Sequence, residues 1–392
     1  VITSRLLEKL PLVVRARVEK LRELATDTGA LATGIENRRV LGALAPSAIR
    51  GLVLGRGHGA SSDVQAHHKA KFDWQYERPS AELRDLYRRA KRSQWDSDEL
   101  AWATSVDPRD PEVPLLRPDF LAFDALADKG VTFGAAERRA MLHDVAAWML
   151  SQFLHGEQGA LLAAAQVTEA MPSLDAKSYG ATQVMDEARH VEVFHRYVTE
   201  KLENLVRIDD NLYVVIDALM TDARWDVKCL GMQIMVEGLA VGAFGTMYRS
   251  TREPLLRELL RRVIRDETRH VRFGVVALRD HIRDALDDRE RREREDWAFE
   301  VSRMMRDRFM MFEIYEQHAS HRVSRTEWRE LMAASPGMRE FHRKMFSRLM
   351  PNLRAIGLLG PRMLERYRAD GILGLADESA WDDVTETHDE AA

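Results

Sequence analysis

A single cysteine, Cys229, stands in the 392-residue chain, so no intramolecular disulfide, cysteine-ligated iron–sulfur cluster or Cys-x-x-Cys metal centre can form. An excess of one charge is also lacking. With 58 basic against 63 acidic residues the net charge is −5, which leaves no basic face of the kind that grips nucleic acid. No signal peptide is recognisable and no run of about 18 uninterrupted apolar residues occurs, so the expectation is a cytoplasmic protein without an ordinary membrane span. No flavin or nicotinamide fingerprint is present. Gly51, Gly55, Gly57 and Gly59 follow no strand and precede no Gly-Lys-Ser/Thr, so they read as a loop and not as a phosphate cradle. Sustained β-branched alternation is scarce, whereas Ala, Leu, Arg, Glu and Met dominate, and the class predicted is all-α.

Against these absences stands a duplication. Glu157, Glu187 and His190 recur eighty residues later as Glu237, Glu267 and His270, with an interval of 30 between the lone Glu and the paired Glu each time. A Glu and a His three apart lie on one face of a helix, so one helix can offer both to one metal ion. Two such helices plus two giving one Glu each make the inward-pointing ligand set of a two-metal four-helix bundle. A lone Glu-x-x-His is common, and Glu192-x-x-His195 is a decoy: Glu192 points roughly 140° from Glu187 on the same helix, and Leu162, not an acid, stands 30 residues upstream. The two motifs proper, Asp186 to Val191 and Asp266 to Val271, agree at five of six positions.

The intervals place a turn midway between paired ligands. Pro172, followed by Ser173, is the first midpoint, and Arg252, within Ser250-Thr251-Arg252-Glu253-Pro254, is the second. About 22 Å of helix on either side returns each pair to one layer. Helices are predicted around 135–170, 174–204, 224–249 and 254–284. An N-terminal helical extension (1–107, with a loop from Gly51 to Ser62) is expected before a di-metal bundle (108–325), with a helical cap and an acidic tail from Asp377 after it (326–392). Pro108, Pro111, Pro114 and Pro118 mark the first boundary. His58, His67 and His68 read as surface histidines, and the charged stretch Arg279 to Asp296 as a solvated helix surface continuing into an amphipathic helix near 297–320.

At these motifs the chain resembles the ferritin-like di-iron carboxylate superfamily, and within it the oxygen-activating branch that includes the ribonucleotide reductase small subunit and its oxidase relatives. The resemblance covers roughly residues 135–285. It implies a ferritin-like four-helix bundle with additional flanking helices, carrying two Fe ions or a Mn/Fe pair. Glu157, Glu187 and His190 would hold mainly one ion, and Glu237, Glu267 and His270 the other, with some Glu residues bridging. Asp186 and Asp266 match acids that accept a hydrogen bond from a ligand histidine. Arg189 and Arg269 could screen buried carboxylates or form surface pairs. Where such a reductase carries its radical tyrosine this chain has Phe194. Ala240 and Val241 replace threonines of desaturases and multicomponent monooxygenases, and Val263 replaces an extra histidine of aryl-amine oxygenases.

The neighbours one turn from the ligands are mostly apolar. Phe153, Phe194, Val241 and Val263, with the polar exceptions Gln183 and Gln233, form the candidate substrate pocket, although each apolar one is equally at home in bundle core. The expected activity is oxidation of a small lipophilic molecule by O2, with electrons from a separate donor. The alternatives are a ligand-binding Mn/Fe oxidase and a non-catalytic iron-storage or peroxide-scavenging protein. A homodimer is expected, with the Met-rich segment Met304 to Met311 as a possible partner face.

Overall fold

The computed structural model describes residues 34–373 and a few positions between 11 and 22; the acidic tail from Asp377 lies outside the described residues. Thirteen helices and no strand occur among them: α1 (Arg38–Ala48), α2 (Ala81–Arg92), α3 (Phe123–Asp128), α4 (Ala135–Ala170), α5 (Leu174–Tyr197), α6 (Asp210–Thr221), α7 (Trp225–Ser250), α8 (Pro254–Asp280), α9 (Asp288–Asp307), α10 (Phe312–His318), α11 (Arg325–Ala334), α12 (Pro336–Ala355) and α13 (Pro361–Ala369). The protein is all-α.

Four of them, α4, α5, α7 and α8, form the central bundle. Helix α4 packs along α5, α7 along α8, and α5 meets α8 across the middle. The first hairpin turns at Met171 and Pro172, where proline lacks the N–H needed to continue the helix. Ser173 holds the cap position of α5, but its hydroxyl makes no capping bond. At the second turn Glu253 caps α8 by accepting from the N–H groups of Leu255 (2.9 Å) and Leu256 (2.6 Å), with Pro254 in the first helical position, where its missing donor costs nothing. The observed helices end within a few residues of those expected. Both α5 and α8 run on into single π turns, Val198–Leu202 and His281–Ala285.

Helix α7 is interrupted by a π segment, Leu230–Val236, that ends one residue before Glu237. A π turn widens the helix locally and re-aims the side chains after it, a device frequent beside functional sites. By length and composition α7 could cross a membrane, but almost all of its apolar stretch is buried inside the protein. Helix α12 covers its outer face so closely that a Cβ on Gly242 would lie 2.6 Å from both the Lys344 carbonyl oxygen and the Met345 Cα. Backbone atoms cannot step aside as a flexible side chain can. Gly242→Ala should therefore push α12 away and lower the unfolding free energy by about 3 kcal/mol; an unchanged chemical-denaturation midpoint would show that the two helices separate freely.

Four expectations need correction. The stretch Arg279 to Asp296 is not wholly solvated: Glu293, Arg294 and Asp296 are buried, because partners arrive from distant parts of the chain. Arg39 and Arg224 pair with Glu293, Asp226 with Arg294, and Arg362 and Arg366 with Asp296. The helix near 297–320 begins at Asp288 and breaks at Met311, whose φ of 47° is left-handed. Met304, Met305, Met310 and Met311 are buried in the chain's own core, so that segment presents no Met-rich face to a partner. Between α1 and α2 the irregular stretch extends well past Ser62, to Ser80. Gly51 is the one buried residue of the π turn Ile49–Val53, against Tyr213 and Val214.

Candidate metal centre

Glu157 comes from α4, Glu187 and His190 from α5, Glu237 from α7, and Glu267 and His270 from α8, and all six are buried. Their donor atoms fall into two groups, each within 4.8 Å: Glu157, Glu187, His190 and Glu267, and Glu187, Glu237, Glu267 and His270. Glu187 and Glu267 belong to both. His190 Nδ1 lies 2.9 Å from Glu267 Oε1, 3.3 Å from Glu157 Oε2 and 3.5 Å from Glu187 Oε2. On the other side His270 Nδ1 lies 3.0 Å from Glu187 Oε1 and 3.4 Å from Glu267 Oε1. Glu157 and Glu237 are thus terminal and the other two central.

The far nitrogen of each imidazole is held by an acid from the opposite motif. His190 Nε2 is 3.3 Å from Asp266 Oδ2, and His270 Nε2 is 3.2 Å from Asp186 Oδ2. An ionised carboxylate only accepts, so each Nε2 carries a proton, and a metal ion held among the glutamates would take the Nδ1 lone pair. Arg189 and Arg269 are buried and each donates to both aspartates, which settles them as partners of buried acids and not surface residues. The segment after α2 adds Gln94, donating to Asp186 (2.8 Å), and Trp95, whose indole N–H donates to Asp266 (2.7 Å) beneath the Arg189 guanidinium. Gln94 and Trp95 were not legible as site residues, since some ninety residues separate them from α5. The one hint is an indole standing alone in the polar run Ser93-Gln94-Trp95-Asp96-Ser97-Asp98.

Electrostatics divides the six residues. Burial, reinforced by Glu267, pushes the Glu157 carboxyl well up, and burial with Glu187 and Glu267 does the same to Glu237. Burial also opposes charge on Glu187, but the two imidazoles hold it well below the ordinary range. Burial would lower His190 and His270, yet the surrounding acids raise both. Among the described residues none of the four glutamates has a Lys or Arg partner. Oε2 of Glu187 and of Glu237 and both oxygens of Glu267 are buried without a hydrogen-bond donor. Four convergent carboxylates so placed are costly unless cations neutralise them, and hard oxygen donors with one imidazole per position fit two ions of iron or manganese.

No family model matches the chain, and no curated protein matches it. Among solved structures it is similar to an R2-like ligand-binding oxidase with an aerobically reconstituted metal cofactor after photoconversion, at 16% identity over 69% of this chain and 94% of that one, with a TM-score of 0.41. It is also similar to a variant of an R2-like ligand-binding oxidase with an anaerobically reconstituted Mn/Fe cofactor, at 17% identity and the same coverage, with a TM-score of 0.40. What the centre can do is read from its own residues.

Around the ligands the structure clusters Phe153, Phe194 and Phe244, with centroids 4.6 to 6.0 Å apart, Phe153 edge-on to the other two and Phe194 tilted against Phe244, and buries Val241 and Val263. Gln183 donates to Glu237 (2.9 Å) and Glu187 (3.2 Å), which fixes its amide toward the glutamates and leaves its Oε1 without a partner. Gln233 lies inside the π segment of α7, fully buried, with both amide atoms free of partners. Gly274, one turn past His270, makes room for it: a Cβ there would come within 2.7 Å of Gln233 Cβ. Tyr179, two turns before Glu187, stacks on Phe273 with its hydroxyl buried and unpartnered. Glu192 and His195 are exposed, and Glu192 accepts from Ser97 (2.7 Å). His58 and His68 pair with Asp210 and Glu169 away from the six ligands, and the His68 side chain is buried, contrary to the expectation of a surface histidine.

Proposed function

We propose that the protein is an O2-activating oxidase or oxygenase in which Glu157, Glu187, His190, Glu237, Glu267 and His270 hold two iron ions, or one manganese and one iron. The observation that carries this reading is the pair of central glutamates shared by two buried ligand groups, with four carboxylates uncompensated by any Lys or Arg. Such a pair of ions, when bound, supplies the electrons that reduce O2.

The chain's own residues do the rest. Four carboxylates would bring two divalent ions to near neutrality, the imidazoles adding lone pairs without charge, and the crossed aspartates keep each Nε2 protonated so that Nδ1 stays available. Gln183 orients Glu237 and Glu187 through its amide N–H. Phe153, Phe194, Phe244, Val241 and Val263 exclude water from one side, which selects an apolar substrate and protects it from side reactions with solvent. The unpartnered amide of Gln233 is the polar group left to meet a carbonyl, hydroxyl or amine on that substrate. No residue here carries electrons in from solution, so a separate donor is part of the proposal.

Protein loaded anaerobically with Fe(II), alone or with Mn(II), tests the reading. Two metal ions per chain and O2 uptake on mixing with air-saturated buffer are expected. Fully loaded protein that consumes no O2 would sink the oxidase reading while leaving the metal site standing.

A further inference from the structure

A cavity of about 400 Å³ lies away from the metal ligands where the end of α9 meets the start of α6. Arg308 lines it. This residue opens the short turn Arg308–Met310 that ends α9, and the chain then reverses through Met311 in the left-handed region, a conformation that costs free energy for any residue but glycine. The reversal seats the guanidinium against the Phe309 ring, 4.4 Å from its centroid, with the residue only 7% exposed.

Among the described residues Arg308 has no ion pair, and its Nε is buried without a hydrogen-bond partner. Its neighbours differ: Arg303 pairs with Glu300 and Asp370, and Arg306 with Asp307 and Asp370. Of the acids lining the cavity, Asp209 and Glu313 are otherwise engaged. Asp209 caps α6 by accepting from the N–H groups of Asn211 (2.9 Å) and Leu212 (3.1 Å), and Glu313 accepts from the Trp148 indole (3.2 Å). Burial, with Glu313 beside it, pushes Asp209 up to about 8, so Asp209 is not a full counter-charge at neutral pH, and burial raises Glu313 as well. Burial lowers Arg308 only to about 10, which keeps it cationic. Arg207, exposed at the mouth, likewise has no ion pair among the described residues.

A buried, unpaired guanidinium is expensive, and a fold that retains one facing a cavity has a use for it. We infer that this cavity binds a small oxyanion, a carboxylate or a phosphate, gripped by Arg308 and reached past Arg207. The guanidinium fork matches the paired oxygens of either group. Met304, Met310 and Phe312 form an apolar wall beside it, and the volume leaves room for a small organic remainder on the anion. The site is tied to α4 but is not the metal centre: Gln152, five residues before Glu157, holds the Arg207 carbonyl (2.8 Å) and the Asp209 N–H (2.7 Å) that form its floor.

Thermal unfolding and calorimetric titration of the full chain with inorganic phosphate and with succinate, ionic strength being held constant with chloride, test the site. A saturable rise in Tm with at least one probe is expected, and which probe acts assigns the class. Arg308→Gln should raise the apparent Kd about ten-fold or more. No saturable response in the wild type, or an equal response in Arg308→Gln, overturns the proposal. If Arg308→Gln does not fold, Arg207→Gln decides: a weakened response supports the site, and an unchanged one overturns it.

Discussion

Replacing Glu187 or Glu267 with alanine should strip both metal ions from the protein, whereas replacing Glu157 or Glu237 should leave one ion in place. The asymmetry follows from geometry, because Glu187 and Glu267 each belong to both groups of donor atoms while Glu157 and Glu237 belong to one. Loss of a central carboxylate removes a charged donor from each position and lets two like-charged ions face each other unscreened. Its cost should exceed the roughly 10–100-fold in affinity that follows loss of an outer hydrogen-bonding partner. Loss of a terminal carboxylate leaves the other group with its imidazole and three acids. Metal per chain, measured on protein loaded anaerobically and passed through a desalting column, distinguishes the cases, with circular dichroism confirming the fold of each variant. Unchanged stoichiometry in Glu187→Ala and Glu267→Ala would show that neither carboxylate is shared between the two ions.

The duplication made this layout legible before any coordinates, because helical periodicity fixes which residues share a face and equal intervals fix a common layer. The bounds of α4, α5, α7 and α8 could be read for the same reason, with Pro172 and Pro254 as punctuation. Which glutamates are central was not legible, since spacing along a helix says nothing of distances across a bundle. Helix α6 escaped notice because its core, Leu212 to Met220, is apolar on nearly every face and shows no helical stripe. The acids of α9 misled because a run of mixed charge looks solvated until Arg39, Arg224, Arg362 and Arg366 fold over it. Gln233 was visible as a polar neighbour and Gly274 as a residue that leaves space, but the isolation of Gln233 depends on the π segment of α7, which leaves no trace in local pattern.

Asp266→Asn and Asp186→Asn should each weaken one ion and spare the other, in a crossed pattern. Asp266 stands on α8 but holds His190 of α5, so its loss should act on the ion grouped with Glu157; Asp186 stands on α5 but holds His270, so its loss should act on the ion grouped with Glu237. An amide can still accept through its oxygen, but it carries no charge and can also present an N–H, which allows the imidazole to turn its proton toward the metal side. The expected fall in affinity is about 10–100-fold at the affected position. Stepwise titration with Fe(II) would show one of the two binding steps displaced, and combining Asp266→Asn with Glu157→Ala should displace the remaining step little further, since both act on the same ion. The two aspartate substitutions together should not be additive, because Arg189 and Arg269 each bond to both acids and lose their last counter-charge only in the double variant. Binding steps identical to wild type in both single variants would reduce the aspartates to neutralising partners of the arginines, and the orientation of each imidazole would then have to come from packing alone.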